Sequence, residues 1–167
     1  MGDGRENYAA AKALLDKSRR ILVSGHLSPD GDSLGCMIAM TRMLRQAGHE
    51  AFAAADVNAL GRLGFMDGVN DIVPLRRLRK LGKFDLLVAV DCGAFDRMPP
   101  EIRPAAEKLP KLCIDHHVTN DGSFADVSII DPEASSAGEI VWRFAKWCEW
   151  KLDREIAEAL WVAIVTD

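Results

Sequence analysis

The stretch Ile21-Leu22-Val23-Ser24-Gly25-His26-Leu27-Ser28-Pro29-Asp30-Gly31-Asp32-Ser33-Leu34-Gly35 decides the fold. Its aliphatic start, bounded by Ser24 and Gly25, reads as a buried strand, and Ser28 to Asp32 reads as a turn. From Ser33 to Gln46 the apolar positions Leu34, Met37, Ile38, Met40 and Leu44 recur at helical spacing, and Gly48 ends the helix. The order is strand, acid-loaded loop, helix. Two further apolar runs also empty into titratable side chains. Leu86-Leu87-Val88-Ala89-Val90 runs into Asp91, and Lys111-Leu112-Cys113-Ile114 runs into Asp115-His116-His117.

Working outward, Glu6 to Ser18 reads as a first helix, with Ala9, Ala13 and Leu14 on one face and cations at its end. Ala51 to Ala55 reads as a strand, Val57 to Met66 as a short helical stretch, and Asp71 to Leu75 as another strand. Four prolines between Asp96 and Pro110 predict a loop with one short helix. Val127 to Ile130 is a short strand stopped by Asp131-Pro132. A helix opens at Ser135 and runs to about Trp150, with Ser136 three residues before Glu139 at capping-box spacing. A last helix, capped by Asp153, runs to the chain end. This alternation predicts an α/β fold, a doubly wound, mainly parallel sheet flanked by helices.

At 167 residues and 49% hydrophobic, the chain can form one domain over 1–167. A formal charge of −4 argues against coating nucleic acid by bulk attraction. No apolar stretch approaches the ~20 residues of a membrane span, and Met1 to Asn7 has no apolar signal core. Cys36, Cys92, Cys113 and Cys148 lack CxxC spacing and sit in apolar stretches, so reduced, packed thiols and a cytoplasmic location are expected. Arg76, Arg77, Arg79, Lys80 and Lys83 read as a solvated face; Trp142, Trp147, Trp150 and Trp161 read as core or interface.

In an open parallel sheet, ligands bind at the carboxyl ends of the strands. Three neighbouring strands would bring His26, Asp30, Asp32, Asp91, Asp115, His116 and His117 together there. So many carboxylates cannot all stay ionised in a partly dry cleft without neutralising cations, and the imidazoles favour metals. The pattern points to a metal-dependent phosphoesterase site with two divalent ions. Asp91, with two oxygens at the end of a central strand, is placed to bridge them. A calcium EF-hand fits badly, since its fifth and twelfth positions would be Leu34 and Thr41, and the Lys of a P-loop is missing.

With Ser24 to Gly35, Val90-Asp91, Asp115-His116-His117-Val118-Thr119-Asn120 and Thr166-Asp167, the chain resembles the DHH family of phosphoesterases. The wording of the first motif and Asn120 look most like the subgroup that degrades short oligoribonucleotides and dephosphorylates 3′-phosphoadenosine 5′-phosphate. The resemblance implies one manganese ion held by His26, Asp30 and Asp91, and a second held by Asp32, Asp91, His116 and Asp167. It implies His117 and Asp115 as catalytic groups, with His117 and Asn120 toward substrate. Mixed carboxylate and imidazole donors suit manganese, with magnesium, cobalt or zinc as alternatives. Short RNA or DNA oligonucleotides and a nucleoside bisphosphate are the implied partners; a homodimer is compatible, and no membrane is involved. The resemblance further implies a following DHHA1 domain that is absent from this chain, so a weakly active catalytic domain is expected. Rival readings are a pyrophosphatase or polyphosphatase, a cyclic-dinucleotide phosphodiesterase, and a catalytically silent nucleotide-binding fragment.

Overall fold

A computed structural model describes residues 5–167, so residues 1–4 of the polar amino-terminal stretch lie outside the described residues. Helix α1 (Tyr8–Asp16) follows one 3-10 turn. Six strands follow: β1 (Arg20–Ser24), β2 (Glu50–Ala55), β3 (Val73–Pro74), β4 (Leu86–Val90), β5 (Lys111–Asp115) and β6 (Val127–Ile130). They stand in the order β3-β2-β1-β4-β5-β6, and every adjacent pair is parallel. The chain leaves β1 toward one edge, then returns to build β4, β5 and β6 on the other side. That reversal between β1 and β4 opens a crevice at their carboxyl ends.

Period-two alternation builds a core on each face. Ile21, Val23, Leu86, Val88 and Val90 face α1, α2 (Gly31–Gln46), α4 (Ala137–Trp147) and α5 (Arg154–Thr166). Leu22, Leu87 and Ala89 point the other way, under the 3-10 helix Leu75–Leu81 and the short helix α3 (Ile102–Ala106). Both faces are covered, as a parallel sheet requires.

Several boundaries differ from the sequence reading. The strand expected over Asp71 to Leu75 shrinks to Val73–Pro74, because proline has no N–H to continue the ladder and a 3-10 helix starts at Leu75. The helical stretch expected from Val57 to Met66 reduces to a 3-10 helix over Gly61–Phe65; its two glycines disfavour an α-helix. Helix α4 stops at Trp147 rather than Trp150, where Glu149 takes a left-handed φ of 56° and turns the chain. Ser136 caps α4 through Glu139 N–H as read, but the Glu139 carboxylate reaches back to Ser135 instead of Ser136. Trp150 is half-buried against Phe144, whereas Trp142, Trp147 and Trp161 are exposed, Trp147 with one face against Tyr8.

Helix α5 lies so close to α2 that a Cβ on Gly35 would sit 2.4 Å from the Ala159 carbonyl oxygen and 2.9 Å from the Ala163 side chain. The obstacle is backbone, which cannot rotate away. Gly35→Ala should therefore destabilise the protein by about 1–3 kcal/mol despite its better helix propensity. A lower urea midpoint at unchanged slope is the expected result; an unchanged or raised midpoint would refute the close-packing account.

Candidate metal centre

Each functional side chain stands at a strand end or in the loop just after it. The chain after β1 carries His26 and reaches Asp30, whose side chain accepts from Ser33 N–H and caps α2. Asp32 sits in the first turn of α2, facing inward. Asp91 follows β4 with a left-handed φ of 49° while its N–H still bonds Ile114 of β5. Such a conformation in a non-glycine residue is tolerated best by Asp and Asn and collects at functional sites. Asp115 ends β5, and His116 and His117 step off it, their rings edge-on at 4.9 Å.

Three groups of donors form around this arrangement: His26, Asp30 and Asp91; Asp32, His116 and Asp167; and Asp91, His116 and His117. Within each, the nitrogen and oxygen atoms lie within 4.8 Å of one another. Asp91 joins the groups through separate oxygens. Its Oδ2 is 3.3 Å from His26 Nε2, while its Oδ1 is 3.7 Å from both His116 Nε2 and His117 Nδ1. His116 Nε2 also lies 3.8 Å from Asp32 Oδ2 and 3.6 Å from Asp167 Oδ2. The six residues read as metal ligands are thus gathered at one spot. Asp167 arrives there because α5 packs against α2.

The electrostatics are those of a cation site. Asp32 and Asp91 are 1% and 2% exposed, and no lysine or arginine reaches either carboxylate among the described residues. Burial, then the Asp91 charge, pushes Asp32 up to about 6, although the Ala137 and Gly138 N–H groups donate to it at 2.7 and 2.8 Å. Burial also raises Asp91, with the His26 hydrogen bond working against it. Bringing positive charge to both carboxylates relieves the cost of desolvating them. The donor set therefore fits divalent ions with oxygen and imidazole ligands.

His117 is set differently. Its Nδ1 is 2.8 Å from Asp115 Oδ1, which turns Nε2 away from that bond. Burial works against the charged ring, but the Asp115 hydrogen bond and the Asp115 and Asp91 charges outweigh it and hold His117 above the usual imidazole range. Asn120, expected toward substrate, has its amide engaged within the protein. It is buried, donates to Asp115 Oδ2 at 2.7 Å, and accepts from Gly122 N–H at 2.9 Å. It braces Asp115, which in turn orients His117. The neighbouring thiols stay protonated: burial raises Cys36 far above the usual range and pushes Cys92 up to about 12.

Two contributors escaped the sequence reading. One is the amino end of α4, whose Ala137 and Gly138 N–H groups hold Asp32. A Cβ on Gly138 would come within 2.6 Å of Ala163 and 3.3 Å of Asp32 Oδ1, so this glycine lets three elements meet at the site. The capping box located the helix start but not its destination. The other is Arg97, whose carbonyl accepts from Leu27 N–H at 2.9 Å and whose charge opposes protonation of His117.

The chain is 27% identical over 154 residues to the bifunctional oligoribonuclease and PAP phosphatase NrnA of Bacillus subtilis (strain 168), covering 88% of this chain and 45% of that protein. It is 29% identical over 164 residues to the probable bifunctional oligoribonuclease and PAP phosphatase NrnA of Streptococcus mutans, covering 95% and 49%. The chain thus spans about half the length of these relatives. An exopolyphosphatase-related protein from Bacteroides fragilis shares the fold with a TM-score of 0.78 at 23% identity, over 95% of this chain and 48% of that one. Exonuclease RecJ, in a structure bound to manganese, aligns with a TM-score of 0.55 at 18% identity, over 99% and 43%. The model of the DHH family, N-terminal domain, matches residues 20–164, and the chain belongs to that family.

Proposed function

We propose that this chain is a manganese-dependent phosphoesterase domain that hydrolyses short oligonucleotides and 3′-phosphoadenosine 5′-phosphate. The observation that carries the reading is Asp91, a buried carboxylate whose two oxygens face two different groups of nitrogen and oxygen donors. His26, Asp30 and Asp91 would hold one cation; Asp32, Asp91, His116 and Asp167 would hold the other. Divalent ions bound there supply charge to phosphoryl oxygens and lower the pKa of an attacking water. The mixed carboxylate and imidazole donors suit manganese better than magnesium, with cobalt as an alternative. The substrate class is supported by the names of the relatives. Four unpaired thiols, three of them buried, suit a cytoplasmic protein.

The protein's own groups then have separate tasks. Asp115 holds His117 through Nδ1, so Nε2 can donate to a phosphoryl or leaving oxygen, with its proton retained by the two neighbouring carboxylates. The α4 N–H groups fix the Asp32 carboxylate without neutralising it fully. Asn120 keeps Asp115 from rotating. No covalent bond between enzyme and substrate is needed, since a water attacks phosphorus and the alkoxide leaves with a proton.

Manganese-dependent release of mononucleotide from a short RNA, and of phosphate from 3′-phosphoadenosine 5′-phosphate, should be seen with wild type and lost in Asp91→Ala, which should bind neither ion. Two metals per chain in that variant, read by elemental analysis, would eliminate the bridging role. Turnover of pyrophosphate instead of both nucleotides would reassign the substrate.

Asn120→Ala should cut turnover by about 10–100-fold, the usual effect of losing an outer partner of a reactive group, with metal content unchanged. A variant of full activity would mean that Asp115 needs no brace.

In the metal-free protein the raised pKa of Asp32 favours its neutral form. Its contribution to stability is present below about 4, the ordinary carboxylate range, and is lost as pH rises through about 6. Manganese compensates the ionised site, so its increase in melting temperature should be larger at neutral pH than near pH 5. An equal increase at both would separate metal binding from these carboxylates.

A further inference from the structure

The segment from Ile72 to Phe84 contains no acid and five cations in a chain whose net charge is −4. Its 3-10 helix, Leu75–Leu81, has three residues per turn, so positions three apart eclipse each other. Leu75, Leu78 and Leu81 form the edge that packs into the second core. Arg76 and Arg79 form a second edge; Arg77 and Lys80 form the third. The repeat of one leucine and two cations is therefore a ridge, with its apolar edge down and two cationic rows outward. A groove of about 770 Å³ on one side is lined by Arg76, Arg79 and Lys83. Another of about 730 Å³ on the other side is lined by Arg77 and Lys80.

Several arginines elsewhere are matched to acids. Arg20, Arg42, Arg45, Arg143 and Arg154 each pair with a carboxylate. Among the described residues, none of the five ridge cations forms an ion pair. Of the acids at the groove lips, Asp71 is already paired with Arg45, and Glu101 stands across from the ridge. The ridge begins directly after β3, at the carboxyl edge of the sheet. It then runs back over the sheet to the amino end of β1, where Arg20 donates to the Leu81 and Lys83 carbonyl oxygens, so the Leu75 end is the one nearer the metal centre.

We propose that this ridge docks the phosphodiester backbone of a single-stranded oligonucleotide and leads it toward the metal centre. Seven 3-10 residues span about 14 Å, less than half of a ~34 Å duplex turn, so the occupant is a short, flexible strand. Contacts of arginine and lysine to phosphate position a strand without reading its bases. The assignment of the partner rests on the phosphoesterase reading; the unpaired cations do not.

The test is fluorescence anisotropy with a short labelled oligoribonucleotide of mixed sequence, without metal, across salt concentrations. The variant Arg76→Glu/Arg77→Glu/Arg79→Glu should bind tenfold or more weakly at low salt. Its plot of log affinity against log salt should flatten by about 2, each lost phosphate contact accounting for ~0.7. A control of equal net charge, Lys12→Glu/Lys151→Glu/Arg154→Glu, should keep most of both. The milder Arg76→Gln/Arg79→Gln should flatten the slope by about 1.4, with circular dichroism confirming that each variant is folded. Unchanged affinity and slope in the ridge variants, or an equal loss in the control, would overturn the ridge. Ridge-dependent binding by a wild type that hydrolyses nothing would leave the ridge standing and remove the phosphoesterase reading. Hydrolysis by a wild type whose ridge variants bind normally would do the reverse.

Discussion

The reversal of strand order between β1 and β4 is the constraint on which the rest of this molecule depends. A parallel sheet needs a crossover for each strand, and when successive crossovers leave β1 on opposite sides, the loops after β1 and β4 part and leave a crevice. Asp91 stands at the end of one of these strands, and His26 lies just past the end of the other. The register that pairs Ser24 with Ala89 and Val90 with Ile114 brings the ends of β1, β4 and β5 to a common level. Packing energy from two apolar layers thus holds the clustered acid and imidazole side chains in place.

Charge is the second organising term. Two carboxylates, Asp32 and Asp91, are withdrawn from water within one cluster, which raises both pKa values through burial. The protein offsets part of that cost with N–H groups from α4 and imidazoles from His26, His116 and His117, all of them partial or conditional positive charges. Lysine and arginine are kept out of the centre and concentrated on the Leu75–Leu81 ridge. This separation keeps the cluster of acids and imidazoles apart from the cationic ridge.

Glycines mark where elements must nearly touch. Gly35 lets α5 approach α2, and Gly138 lets α4 and α5 meet over Asp32. These contacts are remote in sequence but set the position of Asp167, which α5 carries to within 3.6 Å of His116. A packing change at these glycines would therefore be felt in the acid and imidazole cluster.

Much of this was legible in the chain itself. The aliphatic runs ending in Asp91 and in Asp115-His116-His117, and the strand, loop and helix around Asp30 and Asp32, determined a parallel α/β sheet and its loaded edge, because burial and helical periodicity are local properties. Ser136 and Asp153 marked helix starts for the same reason. Only the tertiary structure decided that Asp91 presents its two oxygens to different partners and that Ala137 and Gly138 donate to Asp32. It likewise turned Asn120 inward to Asp115 and resolved the Leu75–Leu81 segment into a three-sided ridge. Those outcomes depend on distances between residues up to about a hundred positions apart, which a local pattern of hydrophobicity and charge does not encode.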